Sequence, residues 1–83
     1  MNKDFEKVDA KIIGADGNIF NLLGICSRAL KENGYKKEAE ELCQRVTNSS
    51  SYDMALSILQ EYVNPVSVYE NELESEEIDY EFD

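Results

Sequence analysis

Residues 16–34, DGNIFNLLGICSRALKENG, read as one amphipathic helix with a start signal, a broad apolar face and a glycine stop. Asp16 or Asn18 can accept a hydrogen bond from a free N–H of the first turn. At about 100° per residue, Ala29, Leu22, Cys26, Ile19, Leu30, Leu23 and Phe20 sweep roughly half the circumference. A stripe that wide touches two neighbours rather than one. Arg28, Lys31 and Glu32 mark the wet side, and Asn33-Gly34 supplies the left-handed position that ends the helix.

Before this helix, residues 8–15 (VDAKIIGA) alternate Val8, Ala10 and Ile12 against Asp9, Lys11 and Ile13, the period of a short β-strand. Gly14 and Asp16-Gly17 close it. Residues 1–7 are a lead-in with one anchor, Phe5. After the central helix, residues 35–48 form a second one with a narrower seam of Tyr35, Ala39, Leu42, Cys43 and Val46. Its outer face offers Lys37–Glu41 and Glu41–Arg45 as i,i+4 pairs.

Ser50 followed by Asp53 resembles a capping box for a third helix over residues 51–63, which Asn64-Pro65 stops. Tyr52, Val63, Leu56, Leu59 and Ala55 lie on one side of it. Tyr62, Ile58 and Met54 widen that stripe past the needs of a three-helix seam. Residues 66–69 (VSVY) are β-favouring and can pair with residues 11–15. The expected fold is therefore mainly α: a compact three-helix unit with a short N-terminal strand, able to pair with a short strand after helix three. It occupies residues 1–69, followed by a disordered acidic tail over residues 70–83.

Charge separates these two parts. Residues 1–69 hold ten acidic and eight basic side chains, a net of −2, whereas residues 70–83 hold eight acids and no base. That distribution argues against direct nucleic-acid binding, which needs cations to neutralise phosphates. Residues 77–83, EIDYEFD, alternate strictly. If extended, they set Ile78, Tyr80 and Phe82 on one side and Glu77, Asp79, Glu81 and Asp83 on the other. One reading is a solvated tail that raises solubility. The other is a recognition segment that orders on a basic partner, with Leu73, Ile78, Tyr80 and Phe82 as anchors.

The inventory of chemistry is thin. There is no histidine, hence neither the commonest general base nor the commonest transition-metal ligand. Phosphate-cradling glycine loops, nucleophile elbows and Cys/His clusters are absent from the sequence. Asp16-Gly17-Asn18 lacks the alternating ligands and distal Glu of a calcium loop. Glu40 points away from Glu38 and Glu41, so an ordinary solvated face explains all three. Cys26 and Cys43 fall on core faces, as free thiols or as one bridge between neighbouring helices. Gly24, mid-helix, marks either a close approach by another element or simple tolerance. No enzyme, cofactor or metal is expected.

No apolar run reaches the roughly 20 residues that span a membrane, and MNKDFEKVDA has no apolar signal core. A cytoplasmic location is expected. A chain of this size buries only about 60% of its unfolded surface, so self-association, as a homodimer, is an expected route to stability.

The stretch from 13 to 63, with Asp16-Gly17-Asn18, Phe20, Leu23-Gly24, Arg28-Ala29-Leu30, Ser51-Tyr52-Asp53, Ala55 and Tyr62-Val63, resembles a group of small uncharacterised bacterial proteins. That group is associated with plasmids, phages and other mobile elements. The DGNxFxxLG run is the most specific piece. The resemblance implies no activity and does not cover the acidic tail.

Two function classes follow. The first is a non-enzymatic protein–protein interaction module whose contacts are Ile25, Met54 and Ile58 together with the tail residues Leu73, Glu77, Ile78, Asp79, Tyr80, Glu81 and Phe82. The second is an acidic mimic of nucleic acid that inhibits a host DNA- or RNA-binding or defence protein. The near-neutral body counts against the second reading, and the mobile-element resemblance counts for it.

Overall fold

The computed structural model describes residues 5–69. In chain order they form β1 (Val8–Ile13), α1 (Ile19–Glu32), α2 (Lys36–Thr47), α3 (Tyr52–Tyr62) and β2 (Val63–Ser67). The mainly α architecture read from the sequence is the one observed. The expectation of a disordered tail over residues 70–83 lies outside the described residues.

Local chemistry sets the helix ends. Asn18 caps α1 by accepting from the Phe20 N–H at 2.9 Å, and Asp16 in turn accepts from the Asn18 N–H at 3.0 Å. At the other end Gly34 takes φ +87°. This lets the Tyr35 N–H reach the Leu30 carbonyl at 2.8 Å and the Gly34 N–H reach that of Lys31 at 3.0 Å. Those two bonds are the paired closure that satisfies the last carbonyls of a helix. Ser51, not Ser50, caps α3, accepting from the Met54 N–H at 3.0 Å. The expected Ser50/Asp53 box is displaced by one residue.

The strands lie side by side and parallel, with Val8 opposite Val63 and Lys11 opposite Val66. Parallel neighbours need a long crossover, and here all three helices supply it. The second strand begins three residues earlier than residues 66–69 suggested. Val63 leaves α3 directly in an extended conformation, while its N–H still closes the helix on the Leu59 carbonyl. Pro65 does not interrupt β2, because a strand with one neighbour tolerates a missing N–H.

α1 packs against β1, α2 and α3, and α3 also packs against α2 and β2. Leu22, Cys26 and Leu30 of α1 meet Ala39, Leu42 and Val46 of α2 and Ala55, Leu59 and Tyr62 of α3, with Val8, Ala10 and Val63 closing the sheet side. Phe5 seals one end of this core, its ring 4.8 Å from Tyr35 and 6.0 Å from Tyr62.

Three expectations are corrected. Ile58 and Tyr62 are not surplus apolar surface: both are buried, because α3 is covered by α1, α2 and β2 at once. Phe20, which helical periodicity puts on the core-facing arc, is exposed. The ion pair joins α2 to α3 rather than running along α2. Arg45 reaches Glu61 at 2.6 and 3.2 Å, while Glu41 accepts the Tyr62 hydroxyl at 2.8 Å.

Candidate functional site

The first turns of α1 and α3 converge, and the bond that joins them runs from the Tyr52 hydroxyl to the Gly17 carbonyl. Capping places the exposed side chains there. Phe20 is the second residue after the Asn18 cap, and Tyr52 and Met54 are the first and third after Ser51. First-turn side chains overhang the end of a helix, where no preceding turn covers them. Phe20 is 70% exposed, Tyr52 48% and Met54 47%. A depression of about 330 Å³ lies at this junction, with Ile19, Phe20, Val46, Tyr52 and Ala55 among its walls. Ser50 Oγ lies 3.8 Å from Met54 Sδ, which puts the methionine beside the same rim.

Phe20 also borders a second groove of about 400 Å³ along α1 and α2, with Leu23, Gly24, Arg28, Lys31 and Cys43. A methyl placed on Gly24 would meet no atom within 4 Å. No part of the described chain approaches this glycine closely. Its lack of a side chain leaves the groove open between Phe20 and Arg28.

The residues expected to contact a partner are separated by the fold. Met54 stands free beside the α1–α3 depression. Ile25 is half-buried on another side of α1, in a shallow depression beside β1. Ile58, 7% exposed, belongs to the core. Leu73, Glu77, Ile78, Asp79, Tyr80, Glu81 and Phe82 lie outside the described residues. Phe20 and Tyr52 are the apolar surface residues that periodicity assigned to core stripes. The available signal was their closeness to a cap.

Cys26 and Cys43 are free thiols. Burial pushes the Cys26 thiol up to about 11, away from the thiolate form that attacks or binds metals. The buried Tyr62 is also shifted upward, chiefly by desolvation. The hydrogen bond from Arg45 holds the Glu61 carboxyl below its usual range. These are groups of a helix–helix contact, removed from the exposed aromatic face. Among the described residues, no set of three Cys, Asp or Glu side chains is placed to hold a metal ion, and no helix is long and apolar enough to cross a membrane.

No protein-family model, curated protein or solved structure matches this chain.

Proposed function

We propose that this chain is a non-enzymatic protein–protein interaction module that docks its partner on the Phe20–Tyr52–Met54 face. The observation that carries this reading is the pair of large, exposed aromatic side chains Phe20 and Tyr52 lining one depression at the α1–α3 junction, with exposed Met54 next to its Ser50 rim. Single exposed apolar residues are ordinary on a protein surface; several around a concavity favour a partner. Phe20 and Tyr52 have the rigid aromatic character of interface anchors, and the Ser49–Ser51 stretch supplies a polar rim. The two free thiols suit a reducing compartment, so the cytoplasm is part of this reading. The mobile-element resemblance would make a host protein or a second copy of the chain the natural partner.

The test is affinity capture with the wild-type chain and with a Phe20→Ser/Met54→Ser variant, followed by binding measurements on the recovered partner. Loss of a buried aromatic anchor costs about 2 kcal/mol or more, roughly 30-fold in Kd. A partner held by the wild type and weakened to that degree, with unchanged helical content in the variant, supports the assignment. Equal binding by both proteins removes this face as the docking site.

A further inference from the structure

We propose that the free edge of β1 takes up an extended segment of another protein as an added antiparallel strand, one that carries an acidic, an apolar and a basic residue in succession. This surface is separate from the docking face proposed above, since neither Phe20 nor Tyr52 takes part.

The backbone supplies the first observation. The sheet has two strands, so among the described residues β1 is paired on one side only. An open edge is a template for another strand. Pro65, opposite Ala10, has no N–H, and the Val63 N–H is spent on the Leu59 carbonyl. The ladder therefore runs through Val8 and Ala10 on β1 and through Asn64 and Val66 on β2. Alternate residues of a strand turn their backbone groups to opposite sides, so Asp9 and Lys11 offer theirs on the open side. The outer edge of β2 is the poorer template, because Pro65 faces it with no N–H to give.

The second observation is the groove beneath that edge. A depression of about 250 Å³ lies between β1 and α1, with Ala10 on the strand and Ile25 and Ala29 on the helix among its walls. Among the described residues none of β2 borders it, so it lies on the open side of β1. Ile25 and Ala29 are half-buried one turn apart, about 6 Å along the helix axis. Inward-facing side chains of a strand recur at about 6.6 Å, so an added strand sets successive apolar side chains on these two residues.

The third is charge, which fixes the order of the occupant. α1 runs back along β1: the Glu6 N–H donates to the Tyr35 hydroxyl at 3.4 Å, so the end of the helix lies beside the start of the strand. Asp9 and Glu32 therefore border the groove toward one end, and Lys11 and Arg28 toward the other. The side chains of Asp9 and Lys11 are both exposed. The Asn64 amide, 3.4 Å from Asp9 Oδ1, engages only one oxygen of that carboxylate. A strand antiparallel to β1 meets Lys11 first, then Ala10, then Asp9. Opposite charges on directly facing residues stabilise a strand pair, and like charges destabilise it. The matching segment hence reads acid, apolar, base from its N-terminal end.

β1 itself carries that order in Asp9-Ala10-Lys11, yet a second copy of the folded domain does not fit. The twofold axis between two antiparallel β1 strands stands perpendicular to the sheet, so both copies of α1 fall on one face. α1 packs on β1, and the helix that packs on β2 is α3. Paired strands lie about 5 Å apart, whereas packed helices need about 8–10 Å between axes. The occupant is therefore a segment with no helix of its own beneath it.

The test uses two blocked peptides of alternating threonine and valine, about seven residues long as an edge strand is. One carries glutamate and then lysine at successive threonine positions, and the other carries the two exchanged. Each is titrated into the isotope-labelled full chain while the amide signals and hydrogen exchange of Asp9 and Lys11 are followed. The glutamate-first peptide is expected to slow exchange at these two amides and to bind about fivefold or more tightly than the other. In an Asp9→Lys/Lys11→Asp variant, changed only at exposed side chains, the preference is expected to invert. Ala29→Glu is expected to weaken both peptides with helical content unchanged. Equal affinities, a preference that does not invert, or no change at Asp9 and Lys11 at millimolar peptide overturns the proposal. Protection of these amides before any peptide is added also overturns it. Constant protection would mean an edge already closed within the same chain, and protection rising with protein concentration would mean self-association.

Discussion

The Tyr62 hydroxyl donates to a Glu41 carboxylate oxygen at 2.8 Å from a side chain that is itself fully buried. The Tyr62 hydroxyl oxygen in turn accepts from Arg45 at 3.2 Å, and Arg45 continues to Glu61. One phenol at the end of α3 thus connects the core to the polar seam between α2 and α3. Tyr62→Phe keeps the ring and removes the connection. Glu41 is exposed and can turn to water, so the loss is expected to be modest, about 0.5–1.5 kcal/mol. Urea denaturation should show a lower midpoint with an unchanged slope.

Tyr62 and Cys26 are both held protonated by burial, and both predict an alkaline limb of instability. In each case the folded-state pKa lies above the unfolded one. The stabilisation is therefore complete below the unfolded value and is lost as pH rises through the folded one. For Cys26 that window runs from about 9 to about 11 and is worth on the order of 2–3 kcal/mol. Melting temperature followed from neutral pH upward should fall in this range. Cys26→Ala should flatten part of the fall while lowering stability at neutral pH.

The two thiols should also differ as reagents. Cys43 is half-buried and Cys26 fully buried. A thiol-specific chromogenic disulfide should label one site in the folded protein and the second only on unfolding. Rapid labelling of both would contradict the packing of α1 onto α2.

Two glycines should respond to alanine with opposite signs. Gly34 occupies a left-handed conformation at the end of α1, so Gly34→Ala should destabilise by roughly 1–2 kcal/mol. Gly24 lies in mid-helix with open space where a methyl would go, so Gly24→Ala should stabilise by about 0.8–1 kcal/mol. Thermal unfolding of the two variants side by side checks both.

Met54 and Ile58, one turn apart on α3, should separate surface from core. Ile58→Ala removes a buried side chain and should cost about 2–5 kcal/mol, enough to threaten folding of so small a domain. Met54→Ala should stay within about 0.5 kcal/mol. Comparable losses in both would mean that Met54 is covered.

The candidate site was only partly legible in the sequence. Periodicity marks Met54 as surplus apolar surface, but it groups Ile58 with Met54 and leaves Phe20 and Tyr52 on core stripes. A helical wheel measures how wide an apolar stripe is, and the neighbours determine how much of it they cover. α3 is flanked on several sides, so its wide stripe is mostly core, ending at Ile58 and Tyr62. Phe20 sits at the edge of the α1 stripe and in its first turn, where it stays 70% exposed.

Helix positions, by contrast, could be read directly from the residues. Asn18, Gly34 and Ser51 act on backbone groups only a few residues away, and such interactions are written in short stretches of chain. The period-two run at β1 and the anchor at Phe5 are local in the same sense. The tertiary structure settled what depends on distant neighbours. It placed β2 across Pro65 beside β1, gave Arg45 to Glu61 instead of Glu41, and turned Phe20 outward and Ile58 inward. Each outcome is a competition among partners far apart in sequence. Local propensity cannot rank those partners, because which of them comes within reach follows from how the helices stack.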